Sequence, residues 1–511
     1  MKIVSVFNSV LGPVMRGPSS SHTAGSYHIG RIARDACGGV PERVVVSFDA
    51  GGSYGKVFRE QGSDRAFISG LMDWDLLDDS FHDAAAIAAR EGVEIAFEVG
   101  GFPEADHPNW TELRLYSADG AETRVVARSV GGGSIVVSSV DGFAVDLRGD
   151  AWTTLIRCGE ADCGDIGRAL EAHGRVESSA RDGVCLLVLK DGRRPPEELL
   201  SALRARGVSP RVVRPIFFPV RGEPVFHSAE GLERYAAERG ISAGEAALDY
   251  ECALLGISQG EAMEEMWRRY GVMKRACERA LRGELAASMQ LLRPTAERVW
   301  KAGGRGALPF FGPHTRAAAR AMAIMHANGG MDVVCAAPTG GSAGALPGTV
   351  ITLEETLGLA RSEVCMALWA AGAVGLILDI RATFAAEVAG CQVEIGAGGA
   401  MASAACVQAV GGTVRQAMDA AAISFQNTMG SVCDLVQGMV ELPCHTRNAA
   451  AAAGAFVNAD LILGGYENPV PLDETIDAVY AVGQMLPPEL RCTSQGGLAL
   501  CPSALAMPRL R

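Results

Sequence analysis

The sequence predicts a multidomain fold: an α+β N-terminal domain over residues 1–150, a βαββαβ domain over 151–222 and an all-α domain over 223–511. Three patterns predict it. Short alternating apolar runs fill the first 147 residues, strand-like and helical patterns interleave over 151–220, and helical periods with capping signals follow one another beyond Glu223. At 511 residues with 48% hydrophobic content, the chain is long enough for two to four domains with sizeable cores.

Taken in order, the first region offers strand-like runs at Arg43–Phe48, Val93–Val99, Thr111–Tyr116, Arg124–Ser129 and Ser134–Val140, with few helices. Asp119-Gly120 lies between two of these runs as a hairpin turn. Near the start, Gly17-Pro-Ser-Ser-Ser-His-Thr-Ala-Gly25 leads into a helical pattern over Tyr27–Ala36. Serines, a threonine and a histidine at a helix N-terminus offer hydroxyls and backbone donors to an anion such as a carboxylate, or simply cap the helix. The second region reads as strand (Thr153–Arg157), helix (Asp165–His173), two strands around Asp182-Gly183, helix (Pro196–Arg206) and strand (Arg211–Ile216). In the third, capping-box spacings are read at Ser242 with Glu245, Ser258 with Glu261, Thr352 with Glu355 and Thr413 with Gln416, while Gly-Gly pairs close runs at Gly329, Gly411 and Gly464. Its Ala- and Gly-rich stretches suit close helix packing.

Composition removes several classes of function. A formal charge of −13 argues against nucleic acid or an anionic membrane as the partner. Met1–Val10 lacks a secretory pattern, and the most apolar stretch, Val364–Ile380, is shorter than the roughly 20 residues of a membrane span and reads as a helix buried in a bundle. The expectation is a cytoplasmic protein whose fourteen cysteines are thiols or metal ligands rather than disulfides. Gly396-Ala-Gly-Gly399 and Gly340-Gly-Ser-Ala-Gly344 lack the strand, lysine and acid of nucleotide-binding loops, and are expected instead to let backbone N–H groups approach a substrate or cofactor.

Three cysteines organise the helical region: Cys391 in Glu387-Val-Ala-Gly-Cys-Gln-Val-Glu394, Cys433 in Val432-Cys-Asp434, and Cys444 in Glu441-Leu-Pro-Cys-His-Thr-Arg-Asn448. Each has a Gly or Pro within three residues, and the intervening segments read as helices, so the three thiols can meet from different helix ends. The spacing is neither the paired CxxC of a zinc site nor a ferredoxin run. From spacing alone, a metal site and buried structural cysteines both stand.

These words, with Lys301-Ala-Gly-Gly-Arg-Gly-Ala-Leu308 and Cys335-Ala-Ala-Pro-Thr-Gly-Gly-Ser-Ala-Gly-Ala-Leu-Pro-Gly348, resemble the alpha domain of the iron-sulfur-dependent L-serine dehydratases. Gly17 to Gly25, Gly62-Ser-Asp-Arg-Ala66, His107-Pro-Asn109, Ser129-Val-Gly-Gly-Gly133 and Asp141-Gly-Phe-Ala-Val-Asp146 resemble the beta domain of the same enzymes, and the βαββαβ order resembles an ACT domain. The resemblance implies a [4Fe-4S] cluster on Cys391, Cys433 and Cys444 with one iron open to the substrate hydroxyl, and elimination of water from L-serine to give pyruvate and ammonium. It implies that Ser20, Ser21, Thr23, Ser63, Asn109 and Lys301 bind substrate, and that His22 or His107 supplies the base. A homodimer and an amino-acid effector at the ACT-like domain also follow from it.

One departure bears on the chemistry. Family members commonly read Gly-His-Gly-Thr-Asp where this chain reads Glu60-Gln-Gly-Ser-Asp64, so Gln61 replaces a histidine thought to be the base. A carboxamide takes no proton at neutral pH, which leaves either another base or a different 3-substituted 2-amino or hydroxy acid as substrate. Neither Cys492 nor Cys501 is expected to ligate the cluster in the active form. Two rivals are weighed beside this reading: a pyridoxal phosphate enzyme, for which only Lys56 and Lys301 lie in Gly-rich settings, and a non-catalytic amino-acid sensor with a structural metal.

Overall fold

The computed structural model describes residues 2–285 and 288–509, and divides the chain into two compact units. One is Ser21–Arg221; the other joins residues up to Ser20 with Gly222–Arg511. The expected boundary near residue 150 is not a break in packing, and the first twenty residues belong with the helices.

Two sheets build the first unit. The larger has six strands in the spatial order Glu94–Gly100, Arg43–Asp49, Trp110–Tyr116, Glu122–Gly131, Ser134–Val140, Phe143–Leu147, and only the first pair is parallel. All five strands read from alternation are present. More helix forms here than the sequence suggested, at Gly25–Cys37, Ser53–Val57, Ser63–Leu71 and Ala84–Arg90. Helices Gly25–Cys37 and Ser63–Leu71 touch backbone to backbone. A Cβ on Gly70 would stand 2.3 Å from the Tyr27 carbonyl oxygen, and one on Gly30 2.8 Å from that of Phe67, so both positions require glycine.

The second sheet is antiparallel, ordered Arg211–Val213, Trp152–Gly159, Val184–Asp191, Arg175–Arg181, with helices Glu160–Leu170 and Glu197–Ala205 completing the βαββαβ sequence. Its last strand is shorter than read, and its first helix starts five residues earlier. Successive side chains on a strand face opposite ways. Leu155, Leu186, Val188 and Val213 accordingly join the core of the larger sheet, while Ile156, Leu187 and Leu189 form a separate core with Ile166, Leu170 and Leu203. Arg214 then clasps Asp35 and Asp73, with contacts of 2.9–3.1 Å to both carboxylates. Cys163 and Cys185 form a disulfide between helix and strand, which corrects the expectation that every cysteine is a thiol or a ligand.

Among the described residues the second unit is helical but for a short strand pair, Val14–Arg16 with Val333–Cys335, and an isolated bridge of Cys433 with Arg491, so the chain does not stay wholly helical beyond Glu223. Helix Arg361–Arg381 is long and apolar enough to cross a membrane by composition, yet 83% of its apolar window is buried inside the protein. The boxes at Ser242, Ser258 and Thr413 form as read. Thr352 does not cap: it lies inside helix Ala345–Leu357, where its Oγ1 donates to the Gly348 carbonyl at 2.8 Å, as an interior threonine does. The first residues are fastened by Glu251, whose carboxylate accepts from Ser5 Oγ and from the Val6 and Phe7 N–H groups at 2.6–2.9 Å.

Candidate active site

In the helical unit, Cys391 opens a short turn before helix Ile395–Ala409, Cys433 lies in the loop after helix Val414–Thr428, and Cys444 is the first residue of helix Cys444–Leu463. All three are buried. Gly390, at φ 75°, permits the turn into Cys391; a Cβ there would stand 2.6 Å from the Ser431 carbonyl oxygen. The thiol of Cys391 is within hydrogen-bonding reach of Cys433, and that contact, followed by burial, raises it. Burial raises the Cys444 thiol, with Cys391 and Glu394 adding to the effect.

Each cysteine-bearing segment is tied by buried polar groups. Arg447, one turn into the Cys444 helix, donates from Nη1 to the Val432 carbonyl at 2.8 Å and approaches Cys391 Sγ at 3.7 Å, while its Nη2 pairs with Asp434 at 3.0 Å. One guanidinium thus bridges all three segments. Asn448 accepts from the Gly344 and Ala345 N–H groups and donates to the Gly341 and Cys444 carbonyls, all within 3.2 Å. Thr339 Oγ1 donates to Glu394 at 2.6 Å. The Glu394 carboxyl lies within 4.8 Å of the Cys391 and Cys433 sulfurs, and burial pushes it up to about 7. A Cβ on Gly341 would strike that carboxyl at 2.6 Å. Glu441 collects the N–H groups of Gln290, Leu291 and Leu292 at 2.7–2.9 Å.

Behind Cys444 a buried histidine pair has fixed tautomers. His326 Nε2 accepts from the Thr295 and Ala296 N–H groups, so its proton is on Nδ1, which donates to His445 Nδ1 at 3.0 Å. Burial lowers His326 to about 4 and His445 to about 3, and both are neutral at pH 7.

In the sheet-bearing unit, His22 is buried with Nε2 3.0 Å from Ser53 Oγ and its ring edge-on to Tyr54. Burial lowers it to about 4, leaving a neutral imidazole. Thr23 Oγ1 donates to the Gln61 carbonyl, Tyr54 OH to that of Ser21, and the Ser53 N–H to that of Pro108 at 2.6 Å. This network joins His22 to His107-Pro-Asn109. His107 Nδ1 accepts from the Asn109 N–H at 3.1 Å, which places its proton on Nε2 and occupies its lone pair. Ser63 Oγ and Asn109 Oδ1 are buried with no hydrogen-bond partner among the described residues.

The Serine dehydratase alpha chain family model matches residues 232–499, over half of the chain. A probable L-serine dehydratase alpha chain of Bacillus subtilis is 35% identical over 280 residues, 55% of this chain and 93% of its own length. The chain belongs to the serine dehydratase alpha chain family. The L-serine dehydratase alpha chain of Peptoniphilus asaccharolyticus is 33% identical over 262 residues, 51% of this chain and 90% of its own. A probable L-serine dehydratase beta chain of B. subtilis is 41% identical over 150 residues, 29% of this chain and 66% of its own, and matches a different part of it.

Against that family the expected site residues fall into four groups. Cys391, Cys433 and Cys444 come together in the helical unit. His22, Ser21, Thr23, Ser63, His107 and Asn109 lie in the other unit, where His22 and Asn109 share a network. Ser20 stands on the helical side of the division, its Oγ 3.4 Å from the Gly340 N–H. Lys301 lies on an exposed face of helix Ala296–Gly304 in an ion pair with Glu297, the arrangement of a solvated helix end. Gly396–Gly399 lie in the first turns of helix Ile395–Ala409, where Gly398 and Gly399 admit Ala345 and Ala451 to close contact. The sequence reading assigned no role to Arg447, Glu394, Thr339, Asn448, Ser53 or Tyr54. Arg447 and Glu394 lie in the cysteine words themselves, and their charge beside a thiol was the available signal.

Proposed function

We propose that this protein is an iron-sulfur L-serine dehydratase that eliminates water from L-serine, the resulting 2-aminoacrylate hydrolysing to pyruvate and ammonium. The observation that carries the reading is the convergence of three buried thiols under one guanidinium in a chain of this family.

The donor set fits a cluster. Mutual contact and burial keep Cys391 and Cys444 protonated, a cost that a bound cationic centre removes by displacing the protons. Arg447 supplies an N–H toward Cys391 sulfur of the kind that orients a ligand and tunes a metal centre. Cys391, Cys433 and Cys444 would hold the group. When bound, it supplies Lewis-acid activation of the substrate hydroxyl. We assign the proton-accepting role to His22, which burial keeps neutral and which stands 3.0 Å from Ser53 Oγ, ahead of His107, whose Nδ1 accepts from the Asn109 N–H. Ser63 Oγ can donate to the substrate's carboxylate, and Asn109 Oδ1 can accept from its ammonium group.

The remaining expectations stay within the same proposal. The βαββαβ region would act as an ACT-like regulatory domain binding a small amino acid, and the protein would work as a cytoplasmic homodimer. The test is anaerobic purification, with about four irons per chain expected and nearly none in Cys433→Ser. It is paired with a keto-acid assay on serine, threonine, cysteine and substituted serines, repeated with Gln61→His. Full iron in Cys433→Ser would remove the cluster assignment; inert serine beside another reactive amino acid would remove the substrate while leaving the elimination.

A further inference from the structure

Three cysteines of the sheet-bearing unit meet on one face of its four-stranded sheet. Cys185, on strand Val184–Asp191, is joined by the disulfide to Cys163 of helix Glu160–Leu170, and in the antiparallel register with strand Trp152–Gly159 it stands directly opposite Cys158. Opposite residues of an antiparallel pair point to the same face. Cys158 and Cys163 accordingly both pack against the core that contains Cys185, Ile156 and Leu187. Cys158 is a free, half-buried thiol. Opposite Cα atoms in such a ladder lie about 4.5–5.5 Å apart, within the roughly 4.4–6.8 Å that a disulfide spans, so Cys185 is placed to bond either sulfur.

The choice of partner decides how the helix is held. Its N-cap position is Gly159, which has no side-chain oxygen to offer the first N–H groups, and Gly164 and Gly167 weaken its interior. Its buried side chains are Ile166 and Leu170, both in the second half. Glu160, Ala161, Asp162, Gly164 and Asp165 are exposed, and Cys163 is the exception among them. Beyond the Glu160 N–H, which donates to the Gly183 carbonyl at 3.0 Å, the first half of the helix is fastened to the sheet through the Cys163 sulfur.

We propose that Cys158, Cys163 and Cys185 form a thiol–disulfide exchange site that pins or frees this helix. Cys158, as the thiolate, attacks Cys185 Sγ; the Cys158–Cys185 bond forms, the Cys163–Cys185 bond breaks, and Cys163 leaves as a thiolate that takes up the proton Cys158 gave. No electrons enter or leave the protein. In the product the two strands are cross-linked, and Ile166 and Leu170 are left to anchor the helix. Burial raises the Cys158 thiol, with Asp162 adding to the effect, so the attack is infrequent at neutral pH and the pinned form persists between events. A low-molecular-weight disulfide sets the oxidation of the site: two of the three thiols give up two electrons and two protons and reduce it to two thiols. The inference is independent of the cluster reading, because none of these cysteines belongs to that centre.

The test uses the full chain, purified without reductant, as wild type, Cys158→Ser and Cys163→Ser. Native protein is held with iodoacetamide for several hours, the scale of uncatalysed disulfide rearrangement, then digested without reduction and mapped by fragmentation mass spectrometry. Alkylation of a released Cys163 prevents its return. Wild type is therefore expected to accumulate the Cys158–Cys185 link with label on Cys163, while Cys158→Ser keeps Cys163 unlabelled. Amide hydrogen exchange over residues 161–165 should rise severalfold in the trapped wild type. Cys163→Ser, oxidised with glutathione disulfide, should form the Cys158–Cys185 link outright. Label on Cys158 alone with the Cys163–Cys185 bond intact, equal labelling of Cys163 with and without Cys158, or no Cys158–Cys185 link in Cys163→Ser would each overturn the exchange. Three thiols in wild type that stay free under glutathione disulfide would overturn the site, and unchanged amide exchange on trapping would overturn the pinning of the helix.

Discussion

The two polar centres of this protein are tied together to different degrees. Around the cysteines, Asn448 makes four hydrogen bonds, Arg447 bridges three segments and Glu441 collects three N–H groups. Around His22 the scaffold is also ordered, but Ser63 Oγ and Asn109 Oδ1 are left without partners among the described residues. A buried polar atom without a partner costs free energy until something supplies the bond. The cysteine centre has such an atom as well, His445 Nε2, so the two centres differ in how many ties hold the scaffold and not in the presence of unpartnered atoms.

The largest effect that would sharpen this contrast is at His22. His22→Gln should lower kcat by about 10²–10⁴ with iron content unchanged, and His107→Gln should cost far less; comparable losses from the two would dissolve the distinction between them. Next comes Arg447. Arg447→Gln should speed chelator removal of iron about 10–100-fold, with Arg447→Lys between it and wild type because a point charge cannot bridge three segments.

A third comparison uses acid. His28 donates from Nδ1 to the Gly133 carbonyl at 2.8 Å, and burial lowers it to about 4. Its folded pKa lies below the unfolded value near 6.5, so as pH falls the unfolded state takes up the proton first and stability is lost. Urea unfolding of wild type against His28→Gln should show wild type losing ~1.4 kcal/mol per pH unit relative to the variant between about pH 6.5 and 4. The smallest effect is expected at Ser63. Ser63→Ala should raise KM by a few-fold, roughly the worth of one hydrogen bond, with stability unchanged or slightly higher because an unpartnered hydroxyl is removed; a clear loss of stability would show that the hydroxyl is structural.

Much of this was legible in residues, and what was not has physical causes. Strands such as Arg43–Asp49 announce themselves by alternation, and the capping boxes at Ser242 and Ser258 by local spacing, because both depend on neighbours in sequence. Thr352 carries the same spacing but sits mid-helix, where its hydroxyl bonds the preceding turn instead. The cysteine words marked three ligands, yet the placement of Cys492 depends on two backbone hydrogen bonds between segments some sixty residues apart. The sequence offered Lys301 either as a charge for the substrate carboxylate or as a solvated helix end, and the structure has it exposed on helix Ala296–Gly304 beside Glu297. The division near residue 20 was hidden because an apolar stretch such as Val4–Leu11 does not say which core will receive it.

That division has a consequence for synthesis on the ribosome. The sheet-bearing unit, Ser21–Arg221, is contiguous and can fold as soon as it has emerged. The helical unit cannot, because its opening residues are made first and their partner Glu251 arrives after more than 200 further residues. At roughly 5–20 residues per second this is a wait of roughly 10–50 s during which Val6, Phe7 and Val10 have no core of their own. A chain started at Gly222 would meet the converse problem: Glu251 would be buried with none of the three donors that the first seven residues supply.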